Sequence, residues 1–599
     1  MSVSNSSPKK IPDPSQQTAD DTPPPQVFRE TLESLAVAFI LALLFKSFVA
    51  DAFIIPTGSM APTLMGAHKD IQCQECGYQY QCGASEEFDN TTGAKKNVQV
   101  VETICPVCRS RETIDVDKST NHVTFSGDRI LVSKLAYALS SPKRWQVIVF
   151  KFIEVAKQNY IKRCIGLPGE TIKIWHGDIY VKDSKDGVGL STVESKDGFR
   201  IARKPPGVVN ATLQAVADTQ HLSSAFGDGT VPAHWQDASD ASAPKWQTTI
   251  QPIAKTDPAR YAWSASIADV PKGSTSVLRF RHRVWDSSQA PPTSPTDFRY
   301  ITDFTAYNQK TFRYPNGRSD QIESDGAHWV GDLAGEWQVT TASGTQAIQL
   351  ILVEGGVEFL CRIDLDSGNA TATAVYDGKP IPVFESSNGF VDKIQVQTNV
   401  RAGSSHRIRY ANVDDSLRLW VDGKSLSWGL DGGYSISAAI PDYRHLPVHT
   451  PENPLDAAPL GIGIQGGSGS VARAQVFRDI FYTASTSGGS LSSRYDEPIN
   501  VRNTKDPYRI AQGNNQPTFS TEGLIFKLGP DYYFPMGDNT QASSDARMWS
   551  RFDQTGQPGR LMIGRAVMVF WPHPWYPNKI PLIRRLPFIP NFQRIGLIR

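Results

Sequence analysis

One stretch of this chain is continuously apolar, and most of the remainder alternates between apolar and polar positions. Residues 34–45 read SLAVAFILALLF and predict a helix. That run alone is short of the ~20 residues a bilayer crossing needs. The window 32–55 is long enough if Lys46 reaches a headgroup layer with its ammonium, which predicts a transmembrane anchor over residues 31–55. A cleavable export signal and a buried soluble helix are the rival readings, but an export signal normally starts nearer the N-terminus. Residues 1–30 are rich in Ser, Pro, Gln and Asp without an apolar period and read as a disordered tail.

Beyond the anchor the pattern has the period of strands. GDRILV at 127–132, QNYIKRCIG at 158–166, DIYV at 178–181 and VMVFW at 567–571 all read as strands. Residues 200–290 read as irregular, with many Pro and Ala around Trp235, Trp246 and Trp263. From about 300 to 487 alternation returns in WVGDLAGEWQVTT, IQLILVEG, VEFLCRIDL, HRIRYANVDDSLRLWVDG and ARAQVFRDIFYT. Trp329, Trp337 and Trp420 in these strands are read as core rather than as ligand platforms. The fold class is therefore mainly β.

Composition refines this picture. At 599 residues the chain exceeds what one core supports. With 61 basic against 60 acidic residues, no global field argues for nucleic acid. The 46 Gly, 41 Pro and 13 Trp suit turn-rich β structure. Five of the 7 cysteines cluster as Cys73-x-x-Cys76, Cys82 and Cys105-x-x-Cys108. Two CxxC pairs at this spacing suit a structural zinc held by Cys73, Cys76, Cys105 and Cys108. Disulfides are the alternative, which the extra Cys82 keeps open. Cys164 and Cys361 read as ordinary buried thiols.

Two polar residues stand in settings that suggest chemistry. Ser59 follows the anchor in Pro56-Thr57-Gly58-Ser59-Met60, and Lys162 sits in a strand with Tyr160 and Cys164 on its face. A serine hydroxyl needs a base to become a nucleophile, and a lysine is a base only when burial lowers its pKa. Taken alone, a serine in a Pro/Gly turn is a turn former and a lysine on a strand is solvated.

Their surroundings change that. IPTGSMAPTL, SGDRILV, YIKRCIGLPGE and FPMGDN through SSDAR (534–547) resemble the boxes of bacterial type I signal peptidases, which cut leader peptides from exported proteins with a Ser/Lys pair. The resemblance implies Ser59 as nucleophile and Lys162 as general base, without metal or cofactor in catalysis. It further implies an oxyanion site from the Ser59 N–H and the Thr57 hydroxyl, a Ser543 that orients the lysine amine, and Asp545 and Arg547 as braces. Inside the last box, Thr540-Gln541-Ala542 replaces the family's usual Arg-Asp-Asn, so the bracing there is expected to differ and Asp538 is the less trusted residue.

The expected architecture is a tail (1–30), an anchor (31–55), and a peptidase domain built from 56–66, 123–205 and 500–575. A zinc-ribbon-like insert (67–122) and a large insert (206–499) interrupt it. DDSLRLWVDGK in the latter resembles concanavalin- or laminin-G-like β-sandwiches, with a core at about 300–487. A basic, apolar tail (576–599) is expected either on the membrane surface or packed on the enzyme, the former slightly favoured. The resemblance implies the cytoplasmic membrane as location, with a single pass and the catalytic domain outside. It also implies exported preproteins with small residues at −1 and −3 as substrates, and contact with the lipid bilayer and the export machinery. Two other functions compete: a surface binding protein using the sandwich on a decayed peptidase frame, and a self-cleaving Ser/Lys repressor. The latter lacks a DNA-binding helical module.

Overall fold

The computed structural model describes residues 24–599 apart from 90–91, 118, 120–121, 153–157, 186, 228, 230, 254–259, 284–297, 323–325, 327, 442, 444, 451–452, 485–523, 550–554 and 573–593. Most of the two expected tails, 1–23 and 576–593, therefore lies outside the described residues.

The apolar run forms the α-helix Pro24–Leu44, continued by a π-helical turn, Phe45–Val49. Phe28–Val49, 22 residues, is long and apolar enough to cross a membrane, and none of its apolar window is buried in the protein. The helix stops at Val49 rather than continuing to 55. From Ala50 the backbone is extended, and Ala50–Ile54 pairs antiparallel with Arg129–Ser133. Lys134 secures the junction, donating to the Lys46 carbonyl (3.0 Å) and pairing with Asp51 at 3.1 Å. Strand pairing thus replaces the helical hydrogen bonds that residues 50–54 would otherwise make.

The sheet begun by this strand runs Ala50–Ile54, Arg129–Ser133, Met562–Trp571, Val147–Lys151, Asn159–Gly166, Tyr532–Met536 and Gln557–Pro558. Residues 147–150 are buried on both faces, the expected consequence of a continuous VIVF run. Ile148 and Phe150 enter one core with Ile165 and Met536, while Val147 and Val149 enter another with Ile130 and Val132. A smaller sheet of Thr171–Trp175, Asp178–Lys182, Arg200–Ile201 and Leu524–Lys527 packs into the first of these cores. The last residues, 594–599, pack on the main sheet and not away from it. Gly596–Leu597 pairs with Met562–Trp571, Ile598 is buried, and Arg594 pairs with Asp128 at 2.6 Å.

Two bodies depart from this frame. The cysteine segment makes the hairpin His68–Gln72 with Gln79–Gly83, and a sheet of Gln99–Ile104 with Arg111–Thr113. That sheet is completed by Lys310–Arg313 and Ser319–Ile322 from the long insertion, so the two inserts share a sheet.

The long insertion holds a sheet of 14 strands among the described residues. Its spine is Leu460–Arg478, which bends at Gly466 and Gly467, both at positive φ. Before the bend it pairs with Ala347–Glu354 and after it with Leu333–Thr341, while Tyr261–Phe280 runs along its other edge. The expectation of irregular chain over 200–290 is therefore wrong. Gln214–Asp218, Trp235–Asp237, Gln247–Pro252 and Tyr261–Phe280 are all strands of this sheet. Their buried positions mix Trp and Ala (Trp235, Trp263, Ala265) with Val216, Ile267, Val270, Leu278 and Phe280, and register shifts between Ile267 and Thr275 break the period that would mark a strand. Trp235, Trp263 and Trp337 share one core, and Trp420 is buried in a smaller one.

Candidate active site

Ser59 sits in a single 3-10 turn, Gly58–Met60, preceded by Thr57 in extended conformation. Lys162 lies on the strand Asn159–Gly166, and its Nζ is 2.6 Å from Ser59 Oγ. Both are buried, at 8 % and 3 % exposure. Burial is the main cause that lowers the Lys162 pKa to about 8; Arg547 lowers it further, while Asp545 and Asp538 oppose. The ring of Tyr160 lies 5.5 Å from the amine.

The next residue, Arg163, points the other way and forms a bidentate pair with Asp538, both bonds 2.7 Å and both side chains fully buried. Asp538, the less trusted residue of the sequence pattern, thus binds the lysine strand to the terminal box. Asp545 pairs with Arg547 (2.8 Å) and accepts from the Gly537 N–H (3.0 Å). Burial would raise the Asp545 carboxyl, but Arg547 outweighs it and holds it below the usual range. Arg547 also donates to the carbonyls of Thr483 and Thr540, 2.7 Å each.

Ser543 is buried beside these groups. Its Oγ makes no hydrogen bond of ordinary geometry, so the orienting bond to Lys162 is not formed, although it approaches Asp545 closely enough to help lower that carboxyl. A Cβ at Gly537 would fall 2.3 Å from both Ser543 Oγ and the Ser59 carbonyl oxygen. Only glycine permits that approach.

Ser59 and Lys162 open onto a cleft of about 610 Å³. Thr57 lines it, half-buried. One wall is 56–59 and 158–162; the opposite wall comes from Ser85, Glu86 and Phe88 of the cysteine segment and Tyr307, Asn308 and Lys310 of the long insertion. Tyr532–Met536 pairs only with 163–166, which leaves the cleft-side edge of 159–162 without a strand partner among the described residues. An extended peptide fits such an edge.

The sequence pattern around this pair has counterparts. The chain matches the family described as signal peptidase, peptidase S26, over residues 108–233. Residues 108–233 are thus similar to an S26 signal peptidase domain. The match takes in Lys162 and the GDR strand; Ser59 and the terminal box lie outside it. The chain is similar to a probable signal peptidase I-2 of Synechocystis sp., 24 % identical over 166 residues, covering 27 % of this chain and 49 % of that one. It is also similar to signal peptidase I of Leptolyngbya laminosa, 25 % identical over 188 residues, covering 30 % and 63 %. The chain thus spans about half to just under two thirds of the length of these relatives. A carbohydrate binding module from Bacillus subtilis aligns with 39 % of this chain and 92 % of its own at 11 % identity, with a TM-score of 0.16. A likeness that slight carries no argument about the insertion.

Away from this cleft, the Sγ atoms of Cys73, Cys76, Cys105 and Cys108 lie within 4.8 Å of one another. Cys73 and Cys108 are 3.5 Å apart, Cys76 and Cys105 3.7 Å. Tetrahedral zinc with ~2.3 Å bonds separates its sulfurs by roughly 3.8 Å, so the four thiols fit that ion. Hydrogen bonding from Cys105 lowers the Cys108 thiol, and the same neighbour brings Cys73 down to about 6, while burial holds Cys105 well above its ordinary value and Cys76 is raised as well, so two of the four favour the thiolate that binds metal. Cys82 stands apart, buried, its Sγ directed to the carbonyls of Gly83 and Gln309.

Proposed function

We propose that this protein is a membrane-anchored serine endopeptidase that removes N-terminal signal peptides from exported preproteins. The observation that carries the reading is the 2.6 Å contact between Ser59 and a buried lysine whose pKa is lowered to about 8. Near neutral pH a useful fraction of Lys162 is the free amine. That amine takes the Ser59 proton as Oγ attacks the scissile carbonyl, then returns it to the leaving amine. Water activated by the same lysine releases the acyl-enzyme. The Ser59 N–H and the Thr57 hydroxyl hold the developing oxyanion, a donor pair whose single loss costs about 10²–10³ in turnover. Asp545 and Arg547 brace the terminal box behind the dyad, and Ser543, buried beside them, orients the lysine amine once substrate is bound.

The substrate lies extended along the free edge of 159–162, with small residues at −1 and −3. The Phe28–Val49 helix crosses the cytoplasmic membrane once, the catalytic frame lies on the extracytoplasmic side, and the enzyme works alongside the export machinery. The chain divides into that anchor, a peptidase frame, a cysteine module holding structural zinc and a β-sandwich insertion. A binding protein on a decayed frame has no need to keep Ser59 and Lys162 buried and in contact.

The test is cleavage of a preprotein with an Ala-x-Ala site by the full chain in detergent. Wild type cuts it, while Ser59→Ala and Lys162→Met do not. Equal behaviour of all three would sink the peptidase reading. Metal analysis of the same preparation is expected to return about one zinc per chain; a metal-free protein lacking free thiols at these positions would mean disulfides.

A further inference from the structure

We propose that Asn308, carried by the long insertion, is a positioning residue for the nucleophile loop. The inference rests on the reading of Ser59 as nucleophile. Asn308 and Asn539 exchange amide hydrogen bonds: Asn308 Nδ2 donates to Asn539 Oδ1 at 2.7 Å, and Asn539 Nδ2 donates to Asn308 Oδ1 at 2.8 Å. Asn539 Nδ2 also donates to the Gly58 carbonyl (3.0 Å), and its backbone N–H donates to the Ser59 carbonyl (3.1 Å). The Gly58 carbonyl only accepts, which fixes the orientation of the Asn539 amide and, through it, that of Asn308. Asn539 therefore grips both peptide units that flank the serine, and Asn308 holds Asn539.

Three further contacts show how far the insertion has entered this site. Tyr307 rests on Gly58 so closely that a Cβ there would lie 2.2 Å from its ring. Its hydroxyl donates to the Ala67 carbonyl at 3.3 Å. Two of the three departures from the family pattern in the terminal box are also accounted for. Thr540 Oγ1 donates to the Phe481 carbonyl (2.7 Å), and Gln541 Nε2 to the Asp303 carbonyl (3.1 Å) and carboxylate. Both partners belong to the insertion. Where relatives carry Arg and Asp, this chain carries the residues that dock its own insert against the catalytic loop, and the Asn308–Asn539 pair is the part of that contact which reaches the serine. A misplacement of about 1 Å at a nucleophile costs on the order of 100-fold in rate, so a clamp on both flanking peptides bears directly on turnover.

The test compares kcat and KM of the full chain in detergent on a peptide with an Ala-x-Ala site. Asn308→Ala is expected to lower kcat by about 10- to 100-fold with KM within about twofold. Asn308→Asp should fall between, since a carboxylate still accepts from Asn539 Nδ2 but donates nothing. Thr311→Ala is the control. Thr311 donates to Glu102 (2.9 Å) and ties the same stretch of insertion to the cysteine segment without touching the serine loop, so its kcat should stay at the wild-type value. Wild-type turnover in Asn308→Ala, or an equal loss in Thr311→Ala, would overturn the inference. If Asn308→Ala loses its cooperative melt, Asn308→Asp decides by the same criteria. Active wild type and dead Ser59→Ala with unaffected Asn308 variants sink this inference alone. An inactive wild type sinks the peptidase reading and this with it.

Discussion

Lys162 and Lys204 are the same residue type at the same depth, 3 % and 1 % exposed, and their surroundings drive them apart. Burial opposes the charge of both. At Lys204, Asp414 and Asp479 outweigh burial and raise the pKa well above its ordinary value. The ammonium is in direct contact with Asp414 and 2.9 Å from Asp479. At Lys162 burial wins. Carboxylates are near there too, but each is already held: Asp545 by Arg547 and Asp538 by Arg163. A carboxylate already neutralised is a weak counter-ion, so the amine is left with a serine for a neighbour. Depth alone makes no base; what matters is that the nearby acids are spoken for.

Three measurements put the contrast between the two lysines at risk. Replacing Lys204 by Met strands Asp414 and Asp479 in the interior and should destabilise the protein by about 3–5 kcal/mol, read by denaturant unfolding at pH 7. Lys162→Met should do the opposite. The folded-state pKa of about 8 lies below the ordinary value of 10.5, so the penalty of charging a buried amine is fully present below pH 8 and is relieved as pH rises towards 10.5. The variant escapes it and gains about 3 kcal/mol at pH 7, a gain that shrinks to nothing by about pH 10.5. If both lysine variants shift stability the same way, the contrast is wrong. The smallest effect is kinetic. Cleavage by the wild type should climb with pH through about 8 as Lys162 loses its proton. Asp538→Asn, which removes a carboxylate that raises the lysine, should move that midpoint to lower pH by less than about one unit. A midpoint moved to higher pH would contradict the account.

Ser59 and Lys162, in contact at the cleft, stand out in the sequence because each lies in a short segment of unusual local chemistry. Ser59 follows an apolar run through a Pro/Gly turn, and Lys162 interrupts an apolar strand. What stays hidden is long-range or low in contrast. Nothing near Asn308 in AYNQKTF announces a partner, because its role arises only when Asn539 is folded against it. Asp538 is easily discounted because the box around it is altered, yet its partner Arg163 lies in the lysine strand and does not depend on residues 540–542. The strand Tyr261–Phe280 escapes notice because Ala and Ser carry its first half and register shifts between Ile267 and Thr275 break its period. Local periodicity finds strands whose alternation runs unbroken, and misses one whose register shifts part-way.

The ion pair of Arg163 with Asp538 joins residues 375 positions apart. A ribosome adding about 5–20 residues per second takes roughly 20–75 s to travel that distance. During that interval the growing chain already holds Ser59 and Lys162, while Arg163 is unpaired and Asn539 has not been made. The long insertion therefore acts as a delay: nearly the whole chain, insertion included, is synthesised before the strand that carries Lys162 can be tied to Asp538.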